Sequence, residues 1–205
     1  MGYNIGILRK ENYKISNWSG GRTTELLIFP PEASYSERNF KWRLSSATVE
    51  AEQSTFTSLP GISRIIMVLE GELLLEHQGH HKIQLKSFQK DSFMGDWVTN
   101  SYGKVTDFNL MMAEGCMGKL EAIDIEAGKN LELCLENNEA DCLTEVFYLA
   151  EGEIVVVNGE DIEEKLIEGD SICINAAPSE NGILIKLCND SKKEVKLVRS
   201  TIQYH

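Results

Sequence analysis

Two arginines set in strand-like, apolar surroundings, Arg43 and Arg64, are the residues of this chain best suited to recognition chemistry. A guanidinium carries a permanent positive charge and five N–H donors in a planar fork, a shape that meets a carboxylate bidentately. Around these cations stand groups that hydrogen-bond: Thr23, Thr24 and Glu25 before the first, Ser45 just after it, and Asp107 and Asn109 further along. Polar side chains of this kind are costly to bury unless paired. Successive side chains of an extended strand alternate between its faces. Arg43, Ser45 and Ala47 therefore share one face, with Trp42, Leu44 and Ser46 on the other. Asp107 and Asn109 likewise share a face opposite Phe108, Leu110 and Met112. Such a set suits an anionic organic acid, with Arg43 and Arg64 on its carboxylates and Asn109, Ser45 and the threonine hydroxyls on amide or carbonyl groups. A second reading of the same residues stays open, in which Arg43–Glu25 or Arg64–Asp107 are internal ion pairs. Desolvation offsets much of the Coulomb gain of any such pair.

Other reactive types are sparse. The histidines are His77, His80, His81 and the terminal His205. The His-x-x-His-His group lies beside Gly79 and reads as a solvent-facing hairpin turn, since a metal site wants further ligands held rigidly. The cysteines, Cys116, Cys134, Cys142, Cys173 and Cys188, are odd in number and show no Cys-x-x-Cys spacing. They read as reduced thiols that pack as small hydrophobes. Gly20-Gly21 is too short for a phosphate loop, and no nucleotide-binding glycine pattern occurs. No metal and no cofactor are expected.

Strands must position these side chains. The runs 25–29, 42–49, 65–75, 107–112, 146–157, 171–174 and 183–187 are short, rich in Val, Ile, Leu and Phe, and mostly bounded by Gly, Asn, Asp, Ser or Pro. One unit recurs. Arg64-Ile-Ile-Met-Val-Leu-Glu-Gly-Glu-Leu-Leu-Leu-Glu matches Glu145-Val-Phe-Tyr-Leu-Ala-Glu-Gly-Glu-Ile-Val-Val-Val, strand, Glu-Gly-Glu turn, strand. Glycine at such a turn supplies the positive φ that other residues resist. Each copy continues to an Asp, Asp91 or Asp170, at the opening of a later strand. Repetition of a whole strand-turn-strand unit predicts two similar halves, placed at residues 1–118 and 119–205. Trp18 and Trp42 read as core or rim packing, and 32–39 as a surface loop. The acidic run Glu160, Asp161, Glu163 and Glu164 reads as a solvated hairpin loop.

The repeated unit resembles the core of the cupin barrel, a double-sheet jelly roll. The resemblance implies an all-β, double-cupin fold, two jelly-roll halves from one internal repeat. In the cupin pattern two His and a Glu precede the turn Gly, the Glu with six residues between, and a later His completes a divalent-metal site. Here the Glu position holds Arg64 in the first copy and Glu145 in the second, and no His stands at the others. Neither half can assemble the cupin metal site.

The first half carries a sharper likeness. Trp18-Ser-Gly-Gly-Arg-Thr-Thr-Glu25, Trp42-Arg-Leu-Ser-Ser-Ala-Thr-Val-Glu50, Thr55-Phe-Thr-Ser-Leu-Pro-Gly-Ile-Ser-Arg64 and Asp107-Phe-Asn-Leu-Met111 resemble, in order, four motifs of the HutD/Ves family. Lys41 and Ser63 depart from it, standing where the family often has Asp. The resemblance implies that Arg43, Ser45, Arg64, Asp107 and Asn109 converge in the mouth of the first barrel, with Thr23, Thr24 and Glu25 at its rim or floor, and that 32–39 lies near that mouth. It also implies a metal-free binding protein for a formylglutamate-like acid, regulating histidine or amino-acid catabolism. A metal-independent isomerase or lyase, with Glu25 or Asp107 as base, and a non-catalytic dimeric scaffold are the competing expectations. Cupins pair through sheet edges, which makes a homodimer the expected assembly of the scaffold reading.

Composition bounds the rest. A net charge of −12 repels phosphate backbones, so nucleic acid is not an expected partner. No run of about 18 apolar residues occurs, and the N-terminal residues lack the pattern of a signal peptide. With Gly6 in place of the Ser or Thr of a myristoylation signal, a cytoplasmic location without membrane association is expected.

Overall fold

Runs of Ile, Val, Leu and Phe alternating with polar residues become strands along nearly the whole chain, because such side chains pack well on a pleated, half-buried surface. The computed structural model describes residues 3–136, 142–158, 162–176 and 181–204. Apart from a 3-10 turn at Lys10–Asn12, its regular elements are strands, the all-β class expected. No helix among the described residues is long and apolar enough to cross a membrane.

The first strands are β1 (Tyr3–Leu8), β2 (Lys14–Trp18), β3 (Gly21–Phe29), β4 (Trp42–Val49) and β5 (Gln53–Thr55). Next come β6 (Ser63–Gly71), β7 (Leu73–His77), β8 (Lys82–Leu85), β9 (Lys90–Met94), β10 (Thr99–Tyr102) and β11 (Val105–Met112). The chain continues through β12 (Cys116–Ile125), β13 (Asn130–Glu136), β14 (Cys142–Glu151) and β15 (Glu153–Asn158). It ends with β16 (Ile162–Ile167), β17 (Ser171–Ala176), β18 (Asn181–Cys188) and β19 (Val195–Tyr204).

Two units result, residues 13–116 and residues 117–205 together with 1–12. The first is a six-stranded sheet, β2-β3-β4-β11-β6-β9, and a four-stranded sheet, β5-β10-β7-β8. The second is a five-stranded sheet, β1-β17-β14-β19-β12, and a four-stranded sheet, β13-β18-β15-β16. The repeat is visible in this topology: β4-β11-β6-β9 corresponds to β12-β19-β14-β17, and β5-β10-β7-β8 to β13-β18-β15-β16. Both turn glycines adopt the positive φ expected, 90° at Gly71 and 95° at Gly152.

The boundary differs from the sequence-based division, which kept the first twelve residues with the first half. Instead β1 lies antiparallel to β17, Tyr3 opposite Ala176 and Leu8 opposite Ser171. Ile5 and Ile7 pack against the core of the second unit, and β1 covers what would otherwise be an open sheet edge. Arg9 then anchors the turn, its guanidinium 2.9 Å from Asp170 and 2.8 Å from Glu164. The Lys10 N–H donates to Asp170 at 3.0 Å. Of the acidic run, Glu160 and Asp161 lie outside the described residues, while Glu163 and Glu164 belong to β16 and not to a loop.

In the first unit Ile66, Val68, Leu73, Leu75, Leu85, Phe93 and Val105 form the apolar core. Each fully buried aliphatic side chain contributes about 1.5–3 kcal/mol. Arg64 lies two residues before Ile66 on β6, so alternation gives it the face of Ile66 and Val68. A charged group thus continues an apolar layer.

Candidate functional site

Cross-strand register brings the polar set together. On β4 and β11, Asn109 stands opposite Ser45, Asp107 opposite Ala47 and Met111 opposite Arg43. On the other flank of β11, Met111 stands opposite Arg64 of β6. These side chains line a cavity of about 390 Å³ within the first unit, together with Thr23 of β3. Six of the eight residues picked from the sequence, Thr23, Arg43, Ser45, Arg64, Asp107 and Asn109, therefore share one wall. Thr24 does not join them: it stands opposite Ser46, on the alternate face of β3. Glu25 is not on the cavity surface either, but it stands behind Arg43 and accepts a hydrogen bond from its Nε at 2.7 Å. A register shift between Glu25 and Leu27 ends the simple alternation at this point.

The two arginines are in different states. Arg43 is satisfied within the protein: besides Glu25, its Nη1 donates to Ser45 Oγ at 2.9 Å, and the Tyr35 ring covers its guanidinium at 4.6 Å. This is one of the internal ion pairs left open by the sequence. Arg64 has no such carboxylate. Its guanidinium lies 4.7 Å from the Phe56 ring and 5.0 Å from the Phe93 ring, a cation–π setting, and its buried Nε has no hydrogen-bond partner. Among the described residues no Asp or Glu forms a salt bridge with it, so the second ion pair considered, Arg64–Asp107, is not formed as a direct contact. Burial pushes Arg64 down to about 10, with Arg43 adding to the fall and Tyr35 and Asp107 opposing it. Asp107 is pushed up to about 7 by burial, against the attraction of Arg64. The buried Asn109 Oδ1 also lacks a partner. The cavity thus holds a cation, an amide oxygen and a carboxyl that titrates near neutral pH, none of them fully answered by the protein.

Aromatic side chains complete the walls. Tyr35, from the loop 30–41, and Phe56, just before Arg64 in the chain, both line the cavity and were not picked from the sequence. Phe56 lies within the Thr55–Arg64 motif, so its signal is present in the sequence; Tyr35 has only its loop. Trp18, 41% exposed, is a rim residue whose Nε1 donates to Thr23 Oγ1 at 3.2 Å. Trp42 is buried and stacks on Phe29 with centroids 5.7 Å apart.

The corresponding position in the second unit is closed. Glu145 is buried and accepts from Arg199 Nε at 2.9 Å, from Arg199 Nη2 at 2.8 Å and from Thr201 Oγ1 at 3.0 Å. The histidines differ from the wholly solvent-facing turn expected of them. His80 is in the exposed hairpin turn expected of the group, but His77, 2% exposed, faces inward.

Comparison with known proteins adds the relatives. The HutD family model matches residues 10–192. A conserved protein of unknown function from Pseudomonas aeruginosa PAO1 superposes with a TM-score of 0.78 at 23% identity, over 98% of this chain and 99% of that one. HutD from Pseudomonas fluorescens SBW25 gives a TM-score of 0.70 at 22% identity, over 98% of this chain and all (100%) of that one. A variant of Bacillus subtilis oxalate decarboxylase gives 0.69 at 7% identity, over 97% of this chain and 77% of that one. At these identities the structural likeness speaks for the fold, and the fold is that of the cupins.

Proposed function

The chain belongs to the HutD family, and from that premise we propose that its first unit binds a small anionic organic acid at Arg64 without transforming it. One observation carries this reading: Arg64 is buried in a cavity wall with its Nε unpartnered and no carboxylate bonded to it. A buried cation left in this state costs several kcal/mol unless something answers it, and a ligand carboxylate is the group its geometry fits. Asn109 refines the choice. Its unpartnered Oδ1 accepts hydrogen bonds, so a ligand that adds an N–H donor to its carboxylate satisfies both groups at once. An N-acylated amino acid has that chemistry, and the family's association with histidine utilisation makes formylglutamate the first candidate. Binding at this site would let the protein report on the level of a catabolic intermediate and so regulate the pathway.

A second reading rests on Asp107. A buried carboxyl near 7 inside a cavity is also what a general acid or base requires, which keeps a metal-independent isomerase or lyase in view. Glu25, bonded to Arg43, is removed from that role.

The test is a thermal-shift screen of chelator-treated protein against formylglutamate, glutamate, urocanate and formate. A ligand at 100 times its dissociation constant adds about 2.7 kcal/mol. For a chain of this size that is a rise of roughly 5 to 10 °C. The expected result is a rise with at least one acid that is lost in Arg64→Met, a replacement of similar length that keeps the aromatic packing. Proton NMR of the bound acid over hours is expected to show it unchanged. Conversion of the acid would establish the enzyme instead, and no shift with any acid would remove the binding reading.

A further inference from the structure

We propose that His77, His81 and Asp91 form a binding site for a single divalent transition-metal ion, zinc in the first instance, at a place unrelated to the cupin metal position. The three residues come from separate elements: His77 ends β7, His81 lies in the turn before β8, and Asp91 is on β9. Their donor atoms all fall within 4.8 Å of one another. His77 Nε2 and His81 Nε2 each stand 2.9 Å from the same oxygen, Asp91 Oδ2. Bonds of about 2.0–2.2 Å to one zinc ion hold ligand atoms only a few tenths of an ångström further apart than this. Two imidazoles and a carboxylate are borderline ligands that suit zinc and its neighbours, and a fourth position stays open to water.

The surroundings are those of a built site. His77 Nδ1 bonds Thr99 Oγ1 at 2.8 Å, and Thr99 Oγ1 in turn donates to the Trp97 carbonyl at 3.3 Å. In the tautomer with its proton on Nδ1, His77 donates to Thr99 Oγ1 and presents the Nε2 lone pair to a cation beside Asp91; in the other, Nε2 donates to Asp91. An outer partner such as Thr99 is typical of metal-binding histidines. The rings are held as well: His77 lies 4.6 Å from Phe93, and His81 meets the Trp97 ring edge-on with centroids 5.9 Å apart. His81, with a side chain 38% exposed, leaves a path from solvent, while Asp91 is 12% exposed.

Such an ion joins the two sheets of the first unit, because β7 and β8 belong to the four-stranded sheet and β9 to the six-stranded one. Its effect is to fasten that seam. The Phe93 ring that packs against His77 is also the ring beside Arg64, so the fastened seam backs the wall of the acid-binding cavity.

The experiment uses untagged full-length protein stripped with chelator and titrated with Zn²⁺ by calorimetry and with Co²⁺ by visible absorption. Expected are one ion per chain, Co²⁺ ligand-field bands, and a melting temperature that rises with Zn²⁺ concentration. His81→Ala and Asp91→Asn should each weaken binding by tenfold or more, and His80→Ala should leave it unchanged. Both ligand variants alter exposed or partly exposed groups, and circular dichroism checks that they fold. Less than one ion bound per chain, or binding that persists in both variants, overturns the proposal and assigns any zinc to exposed Cys134 or terminal His205.

Discussion

At the scale of residues, the cavity is defined by what its charges lack, and Asp107 makes this measurable. Its folded pKa, about 7, lies above the ordinary 3.8, so the native state keeps a proton that the unfolded chain has released across that window. The native state then binds more protons than the unfolded one, and stability falls as pH rises from about 4 to about 7. Above that range the buried charge exerts its full cost, on the order of 4 kcal/mol. Asp107→Asn removes the titration. Urea unfolding should therefore find the variant more stable than the parent at pH 8, with the gap closing toward pH 4. A gap independent of pH would give Asp107 an unshifted pKa and remove the argument for a carboxyl that titrates near neutral pH. Much of this wall was legible beforehand, because strand alternation alone puts Arg43 with Ser45 and Asp107 with Asn109. The unequal state of the two arginines was not. It depends on whether Glu25 reaches Arg43 past a register shift, and on Asp107 stopping short of Arg64, which side-chain geometry decides and periodicity does not.

At the scale of elements, the repeated hairpins share a turn but not its surroundings. Gly71 and Gly152 both sit near φ +90°, where a side chain is strained by about 1–3 kcal/mol whatever the space around it. A Cβ on Gly71 would stand 2.6 Å from the Lys104 carbonyl oxygen, which belongs to the backbone leading into β11. On Gly152 the nearest atom, at 3.0 Å, is a methyl carbon of Val195, which can rotate away. Gly71→Ala should thus lower stability more than Gly152→Ala, and denaturant midpoints of the two variants measure the difference. Equal losses would mean that φ alone governs both turns. The turn glycines were readable from the repeat because their requirement is local. The pairing of β1 with β17 was not, since an N-terminal strand of alternating apolar residues fits several sheet edges equally well. The Arg9–Asp170 contact that accompanies it joins residues far apart in the chain. His77 was misjudged for a similar reason: Asp91 and Thr99, the residues that hold it inward, arrive from β9 and β10.

At the scale of the whole molecule, one fold occurs twice and its interior charge is answered in two ways. In the first unit the residue seven before the turn glycine is a cation whose partner is missing; in the second it is Glu145, answered by Arg199 and Thr201 from β19. A bidentate arginine needs no ligand, so the second unit at this position is a stabilising element and the first a receptive one. The two roles separate by mutation. Arg199→Met leaves Glu145 buried with only Thr201 to accept from, and removal of one partner of a buried pair costs roughly 3–5 kcal/mol. Calorimetry should record that loss as a lower unfolding transition. Acid binding measured well below the transition should keep its dissociation constant, because every residue lining the cavity lies between Ser16 and Met111. Arg64→Met should do the reverse, abolishing binding while leaving a fold at least as stable, since an unanswered buried cation is replaced by an apolar side chain of similar length. A loss of acid binding in Arg199→Met, with the protein still folded, would show that the second unit's ion pair supports the first unit's cavity, and the division of labour between the halves would have to be given up.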